Sequence, residues 1–167
     1  VKLCLADITL LHDEFGAAKE QIPLSHGDID NFKEGRAFTD HRFDLVVADG
    51  HVLDEQNHPQ YHYRPKDIKY YQLTAAKLVI GLNRIKSGGT FVLVRMAHES
   101  NAWETFKLIT AFQEFCEEGG VKIFKPTKAH KRNSSFYVVA KGVQPGHPAA
   151  RALVEHWTRI WRWSTFA

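Results

Sequence analysis

Short apolar runs alternate with longer segments of helical periodicity along this chain, and glycine-containing turns lie between them. Residues 43–50 form a β-branched run that ends in Asp49 and Gly50, a pattern typical of a buried parallel strand whose carboxyl end meets a loop. Residues 90–94 are apolar at successive positions, which predicts a central strand covered on both faces. Residues 3–11 also begin as a strand-like run.

Three segments place apolar residues three and four positions apart, as the buried face of an amphipathic helix requires. They are residues 71–86, residues 101–116 and the tail from Pro148. In the second segment we expect two further aromatic residues, Trp103 and Phe115, to be in the core or partly buried as well; the alternative for the aromatic residues of this segment is a platform on which nucleic-acid bases stack. Its predicted buried face consists of Ala102, Phe106, Ile109, Phe112 and Cys116.

The order of these elements predicts the fold class. Strand, helix, strand and helix are followed by two short strands, 121–124 and 135–140, which predict a hairpin around a basic loop. This order indicates an α/β fold with a mostly parallel sheet and an antiparallel C-terminal strand pair. We expect one domain over residues 1–145 and a Trp-rich helical tail, residues 146–167, that packs on it.

Composition and length narrow the class of protein. The chain has 167 residues, 44% hydrophobic and 25% charged, as expected of an ordinary globular domain. No apolar run approaches the roughly 20 residues of a membrane-spanning helix, so no membrane partner is expected. The two cysteines are far apart and form no metal motif, which indicates a reducing intracellular compartment. Because the chain starts without Met or a signal peptide, we expect it to be truncated at its amino end.

Charge is distributed unevenly along the chain. Residues 1–60 carry 5 basic and 12 acidic side chains, whereas residues 61–167 carry 17 and 7. A cluster of cations predicts a surface that faces a polyanion, although a merely solvated edge explains it equally well. The cluster comprises Lys122, Lys125, Lys128, Lys131 and Arg132.

Three acidic residues are candidates for chemistry. Asp49 stands at the carboxyl tip of a predicted strand, where ligands of open α/β sheets bind, and the irregular segment 51–69 follows it as a predicted cover. The alternative for Asp49 is a cap on the loop that follows. Asp7 and Asp28 could accept hydrogen bonds from ribose hydroxyls or an adenine amine, but aspartate is also common in turns.

Several motifs together resemble the FtsJ-like 2′-O-ribose RNA methyltransferases. The match is carried by FDLVVADG at 43–50, IKSGGTFVLV at 85–94, FKP at 124–126 and HKRNSSFYVVAKG at 130–142, which occur in the same order and spacing. The Trp-rich tail is similar to that of fungal members. The resemblance implies a Rossmann-like fold that uses S-adenosylmethionine and acts on RNA.

The resemblance also implies roles for particular residues. Asp49 matches the aspartate of the family's Lys-Asp-Lys-Glu tetrad and is expected at the catalytic and cofactor sites, while Asp7 and Asp28 are expected to contact the cofactor. RNA phosphates are expected to be held by Lys125, Lys131, Arg132 and Ser134.

The chain departs from this tetrad at three places. The second lysine falls on Val94, with Arg95 one residue later, and the glutamate falls on Ser135. The first lysine, the first strand and the glycine-rich cofactor loop would precede Val1. Arg95 is a catalytic candidate only if a bulge re-aims it, because adjacent strand residues face opposite ways. Arginine also stays protonated, so it cannot act as a base.

Two alternatives therefore stay open. The first is a catalytically degenerate domain that binds RNA or cofactor without methyl transfer, which fits the residues at 94 and 135. The second is a metal-dependent hydrolase with ligands among Asp49, His51, Asp54, His58 and His62. Since that spacing matches no metal motif, we assign no metal. The oligomeric state is not predicted by the sequence.

Overall fold

The computed structural model describes residues 6–50, 66–96, 102–125 and 135–166. It confirms the α/β class, with four strands and three α-helices in these ranges. The elements are β1 (Phe43–Ala48), α1 (Lys66–Arg84), β2 (Ile85–Met96), α2 (Ala102–Phe115), β3 (Val121–Phe124), β4 (Ser135–Val143) and α3 (Pro148–Phe166).

The chain divides into two compact units. Unit 1 comprises Val1–Thr39, His51–Ile80 and Val154–Ala167, and unit 2 comprises Asp40–Gly50 and Gly81–Leu153. Unit 2 therefore holds the whole described sheet and α2. Unit 1 holds four short 3₁₀ turns between residues 8 and 31, together with the parts of α1 and α3 that fall in its ranges.

The sheet of unit 2 is mixed, with the strand order β1-β2-β4-β3. Strand β2 pairs with β1 in parallel and with β4 antiparallel, which confirms the prediction of a central strand. The predicted hairpin is also confirmed, because β3 and β4 pair antiparallel. Three of the four described strands, β1, β2 and β3, run in the same direction, and β4 runs antiparallel between β2 and β3, in agreement with the predicted antiparallel C-terminal strand pair.

One face of this sheet is buried and the other is partly open. On the buried face, Phe91 packs against Phe112 of α2, with ring centroids 5.5 Å apart. The opposite face presents Leu45 and Val47 of β1, which are 56% and 58% exposed. The prediction of a buried strand at residues 43–50 is therefore wrong for this face of β1. On the buried face, Gly81 of α1 lies beside Val46 of β1, whereas Leu45 and Val47 point to the opposite face.

The close approach of α1 to the sheet depends on Gly81. A Cβ at this position would lie 2.5 Å from the Phe91 ring and 3.2 Å from Val46. The register pairs Val46 of β1 with Phe91 of β2, so Gly81 lies against side chains of two adjacent strands.

Two sequence-predicted boundaries are wrong. Residues 8–15 form 3₁₀ turns and not the strand predicted for residues 3–11. The cause is local: the Asp7 carboxylate accepts hydrogen bonds from the Thr9 backbone N–H and hydroxyl, at 2.9 and 2.7 Å, and this bends the chain. Helix α1 ends at Arg84, and β2 begins directly at Ile85, so the glycine pair after the helix lies within a strand.

Unit 1 is held together by side chains of α3 that bind the segment containing the 3₁₀ turns. Trp161 donates its indole N–H to the Thr9 carbonyl at 2.9 Å. Arg162 donates to the Phe15 carbonyl at 3.2 Å and to the Gly16 carbonyl. These bonds satisfy backbone carbonyls in or directly after the 3₁₀ turns.

Among the helices of the described ranges, none is both long and apolar enough to cross a membrane.

Candidate functional site

Asp49 directly follows β1 at the carboxyl end of the strand. Its side chain is exposed, and Oδ1 accepts a hydrogen bond from the Gly50 backbone N–H at 2.7 Å. Gly50 has a φ of 137°, a conformation that favours glycine. The carboxylate thus caps the turn after the strand through one oxygen, while Oδ2 has no partner within the described residues.

The strand register aligns three positions on one face, namely the positions that the resemblance assigns to three members of the tetrad. Ala48 pairs with Leu93, so continuing by one residue brings Asp49 level with Val94. Met96 pairs with Ser135, and residues two apart on a strand share a face. Asp49, Val94 and Ser135 therefore lie at the same edge and on the same side of the unit 2 sheet.

Arg95 faces the other side of the sheet. Its side chain is buried and donates a hydrogen bond from a terminal nitrogen to the Thr105 hydroxyl of α2 at 3.1 Å. The β2–β4 register is regular from Phe91 to Met96, so no bulge turns the guanidinium towards Asp49. The Arg95 guanidinium thus contacts α2 and does not lie on the side of the sheet that Asp49 shares.

The two acids predicted to contact a cofactor lie in unit 1. Asp7 is exposed and precedes the first 3₁₀ turn, where Oδ1 is bound by Thr9. Asp28 is buried, and its Oδ1 accepts a hydrogen bond from the Asn31 amide at 3.2 Å. Both acids thus begin 3₁₀ turns in the structure, and neither stands at the end of a described strand.

The predicted RNA-contacting residues are only partly described. Lys125 follows β3 directly and is exposed, as is Lys122 on that strand. Lys131, Arg132 and Ser134 lie outside the described residues. The proposed metal ligands other than Asp49 also lie outside them, and no group of three metal-binding side chains occurs in the ranges that the structure describes.

Comparison with known families decides the assignment. A sequence model of the FtsJ-like methyltransferase family matches residues 8–143. The chain belongs to this family. No curated protein matches the sequence significantly. The family match covers every strand of the sheet and thus the aligned positions of Asp49, Val94 and Ser135.

Sequence reasoning missed two features of this FtsJ-like chain. Thr105 was not recognised as the partner of Arg95, because a contact between a strand and the following helix leaves no local signal. Trp103 and Phe106 were expected in the core, but they are 66% and 55% exposed. Helix α2 buries Phe112 and Phe115 as predicted, together with Leu108.

Proposed function

We propose that this chain is an S-adenosylmethionine-dependent RNA ribose 2′-O-methyltransferase whose four described strands are part of a Rossmann-like sheet. The observation that carries the proposal is the alignment of Asp49 with the tetrad positions 94 and 135 on one face of the sheet. This alignment occurs in a chain whose family match spans residues 8–143. The reducing interior of a cell is the compartment that its cysteine content favours.

The acids of unit 1 fit the hydrogen-bonding groups of the cofactor. S-adenosylmethionine carries ribose hydroxyls and an adenine amine, all of which are donors. An ionised carboxylate has about four lone-pair sites that can accept hydrogen bonds. In the described ranges, Oδ2 of Asp7 has no partner, so it can accept a hydrogen bond from a ribose hydroxyl. Asp28 accepts a hydrogen bond from the Asn31 amide through Oδ1, and its carboxylate is the group that we propose to contact the adenine amine. When bound, the cofactor supplies a methyl group on a positively charged sulfur.

Asp49 is the residue that we assign to the reaction. Its second oxygen, Oδ2, which has no partner among the described residues, can accept a hydrogen bond from a ribose 2′-hydroxyl and fix the direction of the hydroxyl's lone pairs. Such positioning supplies a large part of the rate acceleration in group transfer. Because arginine remains protonated, Arg95 cannot remove the hydroxyl proton. We propose that its charge, held by Thr105, contributes electrostatically.

The basic segment after β3 is proposed to hold the RNA. Lys125, Lys131 and Arg132 carry cations, and Ser134 carries a hydroxyl. Such groups bind phosphates through charge-assisted hydrogen bonds that position a nucleic acid without reading its sequence.

A second candidate function is binding of RNA or cofactor without transfer. The placement of Arg95 favours it, because the buried guanidinium points to α2 while Val94 occupies the position level with Asp49. Because no lysine occupies position 94 or 135, the described residues provide no base close to Asp49.

A transfer assay with an Asp49→Ala variant separates the two candidates. We expect purified protein to transfer labelled methyl groups from S-adenosylmethionine to unmodified, in vitro transcribed RNA, and digestion to nucleosides to locate the label on the ribose 2′-oxygen. Asp49→Ala should lose transfer and keep RNA affinity. RNA binding by the unaltered chain without transfer would instead establish the binding-only function.

A further inference from the structure

Two large aromatic side chains lie in solvent at the start of α2. Trp103 and Phe106 are 66% and 55% exposed, and their rings stack on each other with centroids 5.6 Å apart and planes 16° apart. The buried face of the helix is formed by other residues, among them Leu108, Phe112 and Phe115. The exposed pair therefore adds little to the core, and an exposed apolar patch of this kind marks an interaction site.

A lysine lies beside this pair, and two more lysines are exposed on and after β3. The Lys107 ammonium lies 5.8 Å from the centre of the Trp103 ring and 2.6 Å from the Glu104 carboxylate. In the described part of α2, the Glu104 carboxylate is thus paired with this ammonium. Lys122 and Lys125, on and directly after β3, are exposed.

The topology of unit 2 brings these groups to one edge of the sheet. Helix α2 begins shortly after β2 ends, and β3 ends where Phe124 pairs with Tyr137 near the start of β4. The first turns of α2, the carboxyl end of β3 and Asp49 are thus at the same edge. Stacked aromatic rings beside the Lys107 ammonium, with exposed lysines at the same edge of the sheet, match the requirements of a single-stranded nucleic acid, in which bases and phosphates alternate.

We propose that Trp103 and Phe106 form a stacking platform for unpaired bases of RNA. The proposal rests on RNA being the substrate and deepens that assignment by naming its form. Bases in a duplex have their faces covered by neighbouring pairs, whereas unpaired bases can stack on aromatic side chains. The platform therefore selects single-stranded RNA and reads little of its sequence, because every base has a π-face.

Fluorescence anisotropy with a short labelled single-stranded RNA tests the platform. The double variant Trp103→Ala/Phe106→Ala should raise Kd about tenfold or more. Trp103→Phe preserves a stacking ring and should keep the affinity close to that of the unaltered chain. Trp163→Ala is the matched control, because it removes a 56% exposed indole from α3 in unit 1, and it should leave Kd unchanged.

The salt dependence of binding provides a second readout. The slope of log affinity against log salt counts the phosphates that the protein neutralises. It should stay the same in the aromatic double variant, whose cations are intact, and should become shallower in Lys122→Ala/Lys125→Ala. A merely misfolded variant would lose both affinity and slope.

The remaining outcomes overturn the platform in distinguishable ways. If the double variant binds RNA as tightly as the unaltered chain, the platform is wrong and the RNA substrate stands. If the unaltered chain binds no RNA, the platform and the proposed function fail together. If the double variant keeps its RNA affinity but loses self-association in sedimentation, the aromatic pair is a protein interface.

Discussion

The indole of Trp161 stacks on the ring of Phe15 with centroids 4.0 Å apart and planes only 7° apart. The same indole donates its N–H to the carbonyl of Thr9, whose own backbone N–H and hydroxyl bind Asp7. The C-terminal helix α3 thus fixes the turn that carries one of the proposed cofactor ligands.

Removing this indole should destabilise unit 1. Trp161 is completely buried, and replacing a buried tryptophan with alanine costs about 3–5 kcal/mol. Trp161→Phe keeps an aromatic ring but leaves the Thr9 carbonyl without its donor, so a loss of about 1–3 kcal/mol is expected. Urea unfolding measures both, with the exposed Trp163→Ala as control. Equal unfolding midpoints for Trp161→Ala and Trp163→Ala would contradict the anchoring role.

A lysine should raise the rate of methyl transfer at position 94 but not at position 95. Val94 is level with Asp49, whereas Arg95 faces α2. Val94→Lys therefore places an amine on the side of Asp49, and we expect it to increase the rate of transfer. Arg95→Lys should lower the rate of transfer or leave it unchanged, because its side chain stays on the α2 side of the sheet. The result that conflicts with this geometry is an increase in Arg95→Lys alone.

Gly81 should tolerate no side chain. A methyl group there would meet the Phe91 ring at 2.5 Å, and that ring is itself buried against Phe112. Overpacking of this kind costs about 1–3 kcal/mol, which exceeds the gain of up to about 1 kcal/mol when alanine replaces glycine in a helix. Gly81→Ala should therefore lower the melting temperature.

Gly146→Ala is the matched control for this prediction, because nothing lies within 4 Å of its added Cβ. It should leave the melting temperature nearly unchanged. A Gly81→Ala protein as stable as the unaltered chain would show that α1 does not approach the sheet as described.

The Cys116 thiol should be unreactive near neutral pH. Burial, with a smaller contribution from Glu117, raises the pKa of this thiol to about 11 from its ordinary 9.0. Because the thiolate is the nucleophile, iodoacetamide should modify it slowly at pH 8. The raised pKa stabilises the fold fully below about pH 9, and this contribution is lost as the pH rises through about 11.

Alkylation rates measured from pH 7 to 11 in a Cys4→Ser background check this prediction. Only Cys116 then carries a thiol. A native-state rate profile with its midpoint near pH 9 would show that the thiol is not desolvated by the fold.

Some features of this chain could be predicted from sequence because they depend on local periodicity. In the segment 90–94, Thr90 is followed by four successive apolar residues, which predicted the central strand β2. The buried face of α2 could not be predicted in the same way, because aromatic residues occur around much of the helix. Periodicity alone cannot choose between Phe106, which is exposed, and Phe115, which is buried.

The candidate site could likewise be predicted only in part from the sequence. Asp49 stands out because an acid ends a β-branched run, and strand alternation alone indicates that Arg95 points away from it. The contact of Arg95 with Thr105 joins residues ten positions apart on two elements, so it follows from packing. The exposure of one face of β1 likewise depends on which face α1 covers, and the strand's own residues do not determine this.

The central claim, that this FtsJ-like chain binds S-adenosylmethionine as its methyl donor, is tested most directly by calorimetric titration. The unaltered chain should bind, and Asp28→Ala should weaken binding about tenfold, as expected for the loss of a hydrogen bond to a charged group. Asp30→Ala, an exposed acid in the same turn, should bind normally. Absence of binding in protein shown to be folded by circular dichroism, or equal affinities for Asp28→Ala and the unaltered chain, would contradict the account.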